Sequence, residues 1–308
     1  RIHRIKFDHL SVDDKLVITK KYILPEIYQK MGLSNNIIEF TDEIIEFIVE
    51  KYTYEPGVRK LKELLFEIIG EINLDLLQNS ENEEKQIPII VNKDLIMNKY
   101  LKERHEIKPK LIHKTPTVGI MNGLWANALG KGGIIPIETN YFPASNFLDL
   151  KLTGMQGDVM KESMNVAKTL AWKLTTQKTR EKLVKNFEKN KLQGLHIHCP
   201  EGAVPKDGPS AGTAITIAMY SLFNNKKIKN TIAITGEINL QGNVTAIGGL
   251  ELKILGGIRA GVTEFIYPEE NKKDYDDVIE KYTDKNYFDN ITFHCVSTIN
   301  QVLKLVFV

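Results

Sequence analysis

The stretch Pro205-Lys206-Asp207-Gly208-Pro209-Ser210-Ala211-Gly212 decides how the rest of the chain is read. Before it, Leu195-His196-Ile197-His198-Cys199 alternates apolar and polar residues as a half-buried strand does. After it, Ala211 to Phe223 is apolar and helix-like. A serine held by glycine and proline at the mouth of a helix is placed to react. The first N–H groups of a helix have no internal partners and carry partial positive charge. They suit an oxyanion that forms beside the serine hydroxyl. Such a serine still needs a base. His196 and His198 are two residues apart on a strand and so share a face. Asp207 is local. Lys253 lies one turn into a helix opened by Gly248-Gly249, among Leu250, Leu252, Ile254 and Leu255. A lysine at its free pKa of about 10.4 is a poor base. Burial disfavours the ammonium and lowers that value by several units. A lysine so desolvated can accept the serine proton and hand it to a leaving amine. Spacing alone does not choose between lysine and histidine.

Working outward, the chain has two regimes. Residues 1 to about 77 read as helices. Val12 to Leu24 carries apolar residues among lysines, and Pro25 is expected to break or restart it. Thr41-Asp42-Glu43 offers a capping hydroxyl and acids for a first turn. From about Val58 a long helix runs with Leu61, Leu64, Leu65, Ile68, Ile69, Ile72 and Leu76 at three-to-four spacing. Gln78 to Gln86 reads as a polar surface loop, Ile87 to Val91 as a short strand and Asp94 to Leu101 as a short helix. The charged stretch Lys102 to Thr117, with Pro109 and Pro116, marks a boundary near residue 110. From Val118 the pattern is short strands and glycine turns. Gly130-Lys131-Gly132-Gly133 joins strands Val118–Ala128 and Ile134–Tyr141. It is no phosphate loop, since it lacks the earlier glycine and the following Ser or Thr. Leu148 to Leu152 is a strand, and Asp158 to Thr175 an amphipathic helix with Val159, Met160, Ser163, Val166, Ala167, Leu170 and Leu174 on one side. Strands at Ile232–Thr235, Glu264–Tyr267 and Ile291–Val296 alternate with helices at Leu250–Ala260, Asp274–Tyr282 and the end of the chain. The expectation is α+β: a small all-helical domain over 1–109, then a mixed α/β domain over 110–308.

The bulk numbers exclude little else. The length of 308 residues suits about two domains. A composition of 42% hydrophobic and 26% charged residues supports buried cores. The 41 basic and 39 acidic side chains nearly cancel, so no global charge argues for nucleic acid or an anionic membrane. No apolar run approaches the roughly 18–20 residues that span a bilayer. Cys199 and Cys295 sit in apolar strand-like runs and read as buried free thiols in a reducing compartment. Opening on Arg1, already in a structured region, the chain reads as a piece of something longer.

Two separated motifs resemble the Lon protease family. Pro200-Glu201-Gly202 followed by Pro205 to Gly212 is similar to its nucleophile signature. Thr235-Gly236-Glu237-Ile238 with Gly242, then Ile247-Gly248-Gly249-Leu250 and Lys253, is similar to the signature carrying its base. The resemblance implies a Ser210–Lys253 dyad that hydrolyses peptide bonds in unfolded or damaged proteins through an acyl-enzyme. An extended substrate paired beside a strand is expected, and no metal, since no Cys/His/Asp cluster has ligand spacing. The His196-Ile197-His198 strand resembles the family's strand ahead of the nucleophile, and both histidines read as structural. Thr235 reads as a support for the lysine amine. Asp207 reads either as a turn residue or as a group that orients and gates the dyad. Glu237 reads equally as a structural, inter-subunit or site charge. Tyr52-Thr53 through Gly57-Val58-Arg59 is similar to the end of the family's AAA+ module, with Arg59 where its ATP-sensing arginine falls. The family implies ATP and magnesium in the full-length protein, a hexameric ring, weak DNA binding, no membrane, and a cytoplasmic or mitochondrial-matrix location. With no Walker motif here, this chain alone is expected not to hydrolyse ATP.

Two positions depart from the family pattern. The Leu-Ala-Trp-Thr run usual on the first protease strand is here Leu124-Trp125-Ala126-Asn127. A one-residue shift reverses the face a side chain takes, so a differently built edge is expected. Glu251 stands where a basic residue is common. It would raise the Lys253 pKa if turned toward it and do nothing if turned to solvent. Two rival functions share these residues: a Ser–Lys amidase of small substrates, and a non-proteolytic assembly or nucleic-acid-binding scaffold. The scaffold reading conflicts with retention of both dyad residues.

Overall fold

The computed structural model describes residues 10–34, 37–53, 55–78, 87–127, 130–200, 207–283 and 287–308. Most of the expected Gln78–Gln86 loop, the strand end at Ala128, and Glu201, Gly202, Pro205 and Lys206 of the serine motif lie outside the described residues. The chain divides into two compact units, one from Arg1–Lys108 with Ala128–Lys131 and the other from Pro109–Asn127 and Gly132–Val308.

The first unit is helical. Ser11 and Asp14 form a reciprocal cap on the helix Val12–Ile18. At Pro25, where a break or restart is expected, a helix restarts. The chain widens into a π-helical turn over Thr19–Ile23 and continues as Leu24–Lys30. A wide turn just ahead of a proline spares the clash of its ring with the preceding carbonyls. Helix Asp42–Tyr52 begins where Thr41 suggests, but the Thr41 hydroxyl makes no capping bond. Helix Arg59–Gln78 is capped from outside by Glu55, whose carboxylate accepts the Lys60 and Leu61 N–H groups at 2.8 and 2.9 Å. Its buried stripe of Leu61, Leu64, Leu65, Ile68, Ile69 and Ile72 packs with Ile27, Ile45 and Ile48 into one core. The unit also holds a parallel two-strand ladder, Ile38–Glu39 beside Ile89–Ile90, of which only the second strand is foreseen.

The second unit is built on a seven-stranded mixed sheet. Its strands in chain order are β1 (Ile120–Ala126), β2 (Gly132–Phe142), β3 (Leu150–Thr153), β4 (Gly194–His198), β5 (Ile232–Ile234), β6 (Glu264–Pro268) and β7 (Thr292–Val296). Their spatial order is β7-β6-β5-β1-β2-β4-β3. β1, β5, β6 and β7 run parallel, β2 is antiparallel to both its neighbours, and β3 is parallel to β4. Six helices follow in chain order: α1 (Asp158–Leu174), α2 (Gln177–Asn190), α3 (Gly212–Asn224), α4 (Leu250–Arg259), α5 (Lys272–Lys281) and α6 (Ile299–Leu305).

Alternation along the strands sorts the unit into two cores. Met121, Ile135, Ile137, Leu195, Ile197, Ile232, Ile234 and Ile266 meet α1 and α3 on one face. Leu124, Ile134, Ala233, Phe265 and Tyr267 meet α4 and α5 on the other. At β4 the second face carries His196 and His198, both half-buried. β1 lies in the middle of the sheet, so the Trp125 shift does not alter an edge. The indole lies over Gly133, where a Cβ would come within 3.0 Å of Nε1, and donates to the Ile134 carbonyl at 3.2 Å.

Three further expectations are corrected. Helix α2 has no counterpart in the sequence reading, because only Leu183 and Phe187 along it are buried. Val159 is exposed, and Met164 and Ala171 complete the buried face of α1. Cys199 is buried but Cys295 is exposed on β7, and among the described residues neither forms a disulfide.

Candidate active site

Ser210 lies in a 3-10 turn, Pro209–Ala211, that leads into α3 on one face of the sheet. Lys253 is the fourth residue of α4 on the other face. β5 ends between these two helices, and the residues that follow it join both. The Gly236 N–H donates to the Ser210 carbonyl at 2.9 Å. The Gly236 carbonyl accepts the Thr213 N–H at 3.1 Å and the Thr213 hydroxyl at 2.9 Å, which fixes the first turn of α3. A side chain at residue 236 would come within 2.5 Å of Val244, so this approach requires glycine. One residue earlier, Thr235 is fully buried and accepts a hydrogen bond from the Lys253 amine at 3.1 Å. Among the described residues this is the amine's one hydrogen bond, and none joins it to the Ser210 hydroxyl. Catalytic hydrogen bonds are often long before substrate binds.

Lys253 is 4% exposed. Burial pushes its pKa down from 10.5 to about 8. Glu251 does not oppose this. Its carboxylate accepts from Lys281 and from the Tyr282 hydroxyl, both at 2.7 Å.

Two glycines set the depth of α4: Gly132, expected only in a hairpin turn, and Gly256. A Cβ on Gly132 would stand 2.0 Å from the Leu252 carbonyl, and one on Gly256 would stand 2.1 Å from Gly132. Helix and strand therefore touch backbone to backbone on either side of Lys253. The available signal is the repeated glycine pairing, Gly132-Gly133 in the hairpin and Gly256-Gly257 in the helix.

Asp207 serves a second helix. Its Oδ1 accepts the Met160 N–H at 3.0 Å and its neighbour Gly208 N–H at 3.1 Å. α1 starts at Gly157 without a side-chain cap of its own, and Asp207 fills the space where a Cβ on Gly157 would lie 2.4 Å from its carboxyl carbon. An acid from another loop thus caps α1 and ties the serine turn to it. His196 and His198 both meet the Thr153 hydroxyl, at 3.0 and 2.7 Å, and neither bonds Ser210 or Lys253. Burial, then the charges of Lys151 and His198, holds the His196 pKa below its ordinary value. Glu237 is exposed on a two-strand ladder opposite Thr245. In the first unit, Arg59 heads its helix with a side chain 93% exposed, 3.5 Å from Glu63. Among the described residues no group of three or more His, Cys, Asp or Glu could hold a metal ion, and no helix is long and apolar enough to cross a membrane.

Comparison with known proteins matches residues 90–308 to the family described as the Lon protease (S16) C-terminal proteolytic domain and residues 29–86 to the Lon protease AAA+ ATPase lid domain. A Lon protease homolog of Acanthamoeba polyphaga mimivirus is 34% identical over 98% of this chain and 34% of its own length. The Lon protease of Fusobacterium nucleatum is 36% identical over 96% of this chain and 36% of its own length. That of Aquifex aeolicus is 35% identical over all of this chain and 36% of its own length. The chain therefore spans about a third of the curated relatives it matches.

Proposed function

From a chain that belongs to the Lon protease family and carries its serine peptidase domain, we propose a Ser210–Lys253 endopeptidase acting on unfolded or damaged polypeptides. The observation that supports it most is the buried Lys253 amine, held by the residue before the one that anchors Ser210. With a pKa of about 8, half of the amine is neutral at pH 8, against under about 1% for a free lysine.

The neutral amine takes the Ser210 proton as Oγ bonds to the scissile carbonyl carbon. The resulting oxyanion faces N–H groups of the serine turn, to which Pro209 contributes none. The Lys253 ammonium then protonates the departing amine, the C–N bond breaks, and an acyl-enzyme is left. Water repeats the sequence: Lys253 takes its proton, the ester bond breaks, and Ser210 recovers its hydrogen. An extended substrate would pair through its main chain beside a strand, a mode that tolerates many side chains.

The same reading assigns ATP and magnesium to the full-length protein, where ATP hydrolysis supplies the energy for unfolding and threading. Arg59 fits a nucleotide-sensing part in that its guanidinium projects into solvent with a single long contact. Assembly into a homo-oligomeric, hexameric ring belongs to the same proposal. Cleavage of unfolded casein and of a panel of small amides by the parent, Ser210→Ala and Lys253→Ala tests the chemistry. Casein cleavage lost in both variants supports it. A Ser210→Ala chain as active as the parent refutes it, and turnover of small amides alone favours an amidase.

A further inference from the structure

We infer that Asn271 is a positioning residue for Lys253, acting through the turn at Ala246–Ile247 that feeds α4. This rests on the dyad reading above. Asn271 follows β6, is 3% exposed and touches none of the dyad residues through its hydrogen bonds. Its Oδ1 accepts the Ile247 N–H at 2.9 Å, and its Nδ2 donates to the Ile247 carbonyl at 2.8 Å. One carboxamide thus satisfies both backbone groups of one residue. Nδ2 also donates to Asp274 at 2.6 Å, which anchors the carboxamide to α5. The preceding Glu270 accepts the Ala246 N–H at 2.7 Å. Residues 270 and 271 therefore clamp residues 246 and 247.

Beyond the clamp the turn is held by packing: Ile247 lies against the core that holds Leu250, and Gly249 lies against Ala126. A Cβ on Gly248 would meet nothing within 4 Å. Gly249 sits in the left-handed region at φ +71, and α4 starts with no side-chain cap. The Lys253 N–H bonds the Gly249 carbonyl at 3.1 Å, so the lysine belongs to the first turn that the clamp fixes. On the far side, the Gly132–Gly256 contact is a pivot. Without the clamp the turn ahead of Lys253 keeps only its packing, and the first turn of α4 can shift about that contact. The single 3.1 Å bond from the amine to Thr235 does not survive a shift of about 1 Å. Without Asn271, the Ile247 N–H and carbonyl would also be left unpaired and would recruit water toward the amine.

The test reads the amine itself. Trace acetic anhydride competes for Lys253 across roughly pH 6 to 11, and mass spectrometry of the peptide carrying it gives the titration midpoint. The parent midpoint is expected at about 8. Asn271→Ala should raise it by about one unit or more toward the value of a hydrated lysine. It should lower kcat on the order of a hundredfold with KM unchanged. Glu270→Ala, at an exposed position, covers the case in which Asn271→Ala does not fold. It should raise the midpoint less, although loss of a negative charge would by itself lower it. Ser221→Ala removes a buried hydroxyl from the last turn of α3 and should leave the midpoint alone. The inference is overturned if the folded clamp variants label on the parent's curve, or if Ser221→Ala shifts the midpoint as far. Should Lys253→Ala cleave peptides as fast as the parent, the dyad reading falls, while the labelling curves still decide the clamp.

Discussion

Lys253→Met should make the protein more stable while silencing it. The lysine pKa falls from 10.5 to about 8 on folding, and at about 1.4 kcal/mol per unit the buried ammonium costs about 3 kcal/mol. Methionine has similar length, no charge and enough flexibility to fill the same space. Against the gain stands the hydrogen bond to Thr235, whose loss costs about 1 kcal/mol. The net is about 2 kcal/mol, which for a unit of this size raises Tm by roughly 4–8 °C. The pH dependence identifies the cause. Below pH 8 the lysine is protonated whether folded or not, so the full cost is present. As pH rises through 8 the folded chain loses the proton first, and the cost fades up to 10.5, where the unfolded chain loses it too. Thermal unfolding followed by circular dichroism at pH 7 should favour Lys253→Met. At pH 10.5 the parent should match or slightly exceed it. An unchanged or lower Tm at pH 7, or a gain that ignores pH, would refute the burial argument.

Peptide cleavage by the parent should rise with pH through about 8 as Lys253 loses its proton; a kcat/KM profile flat from pH 6 to pH 9 would contradict the base role proposed for it. Thr235→Val should cost about tenfold to a hundredfold in kcat, and Thr235→Ser should restore most of it, because only the hydroxyl holds the amine. Asp207→Ala should cost about 1 kcal/mol in urea denaturation through loss of the α1 cap, with Asp207→Asn recovering most of that stability. Gly157→Ala should lower activity by pushing Asp207 aside, without touching Ser210 or Lys253. Activity equal to the parent's would separate the cap from the serine turn.

The sequence was most legible where side-chain period and burial coincide. The serine turn, the apolar helix behind it and the Gly248-Gly249 opening of α4 could be read because glycine, proline and apolar runs there have few other uses. The facing of His196 and His198 followed from alternation, and the structure adds the shared Thr153 hydroxyl. α2 was illegible because two buried residues in fourteen leave almost no hydrophobic period. The ladder of Ile38–Glu39 with Ile89–Ile90 was half-missed because two-residue strands carry no period at all. Pro25 marked a helix restart, but the wider turn just ahead of it left no local signal. Cys295 misled because its strand lies at the sheet's edge, which is a property of topology and not of the run itself. The caps that Asp207 and Glu55 supply are long-range or loop-borne, and no spacing rule announces them.

The division of Ser210 and Lys253 between opposite faces of one sheet has a consequence for biosynthesis. A nascent chain exposes the serine turn before the lysine helix has left the ribosome. The helix then packs on β1 and β2, which are made first, and brings Lys253 to Thr235 at the end of β5. The proposed pair can therefore form only once α4 has emerged, well after the serine turn. On the proposed mechanism, a chain made only as far as α3 holds its serine without Lys253 and cannot yet cut itself or its neighbours.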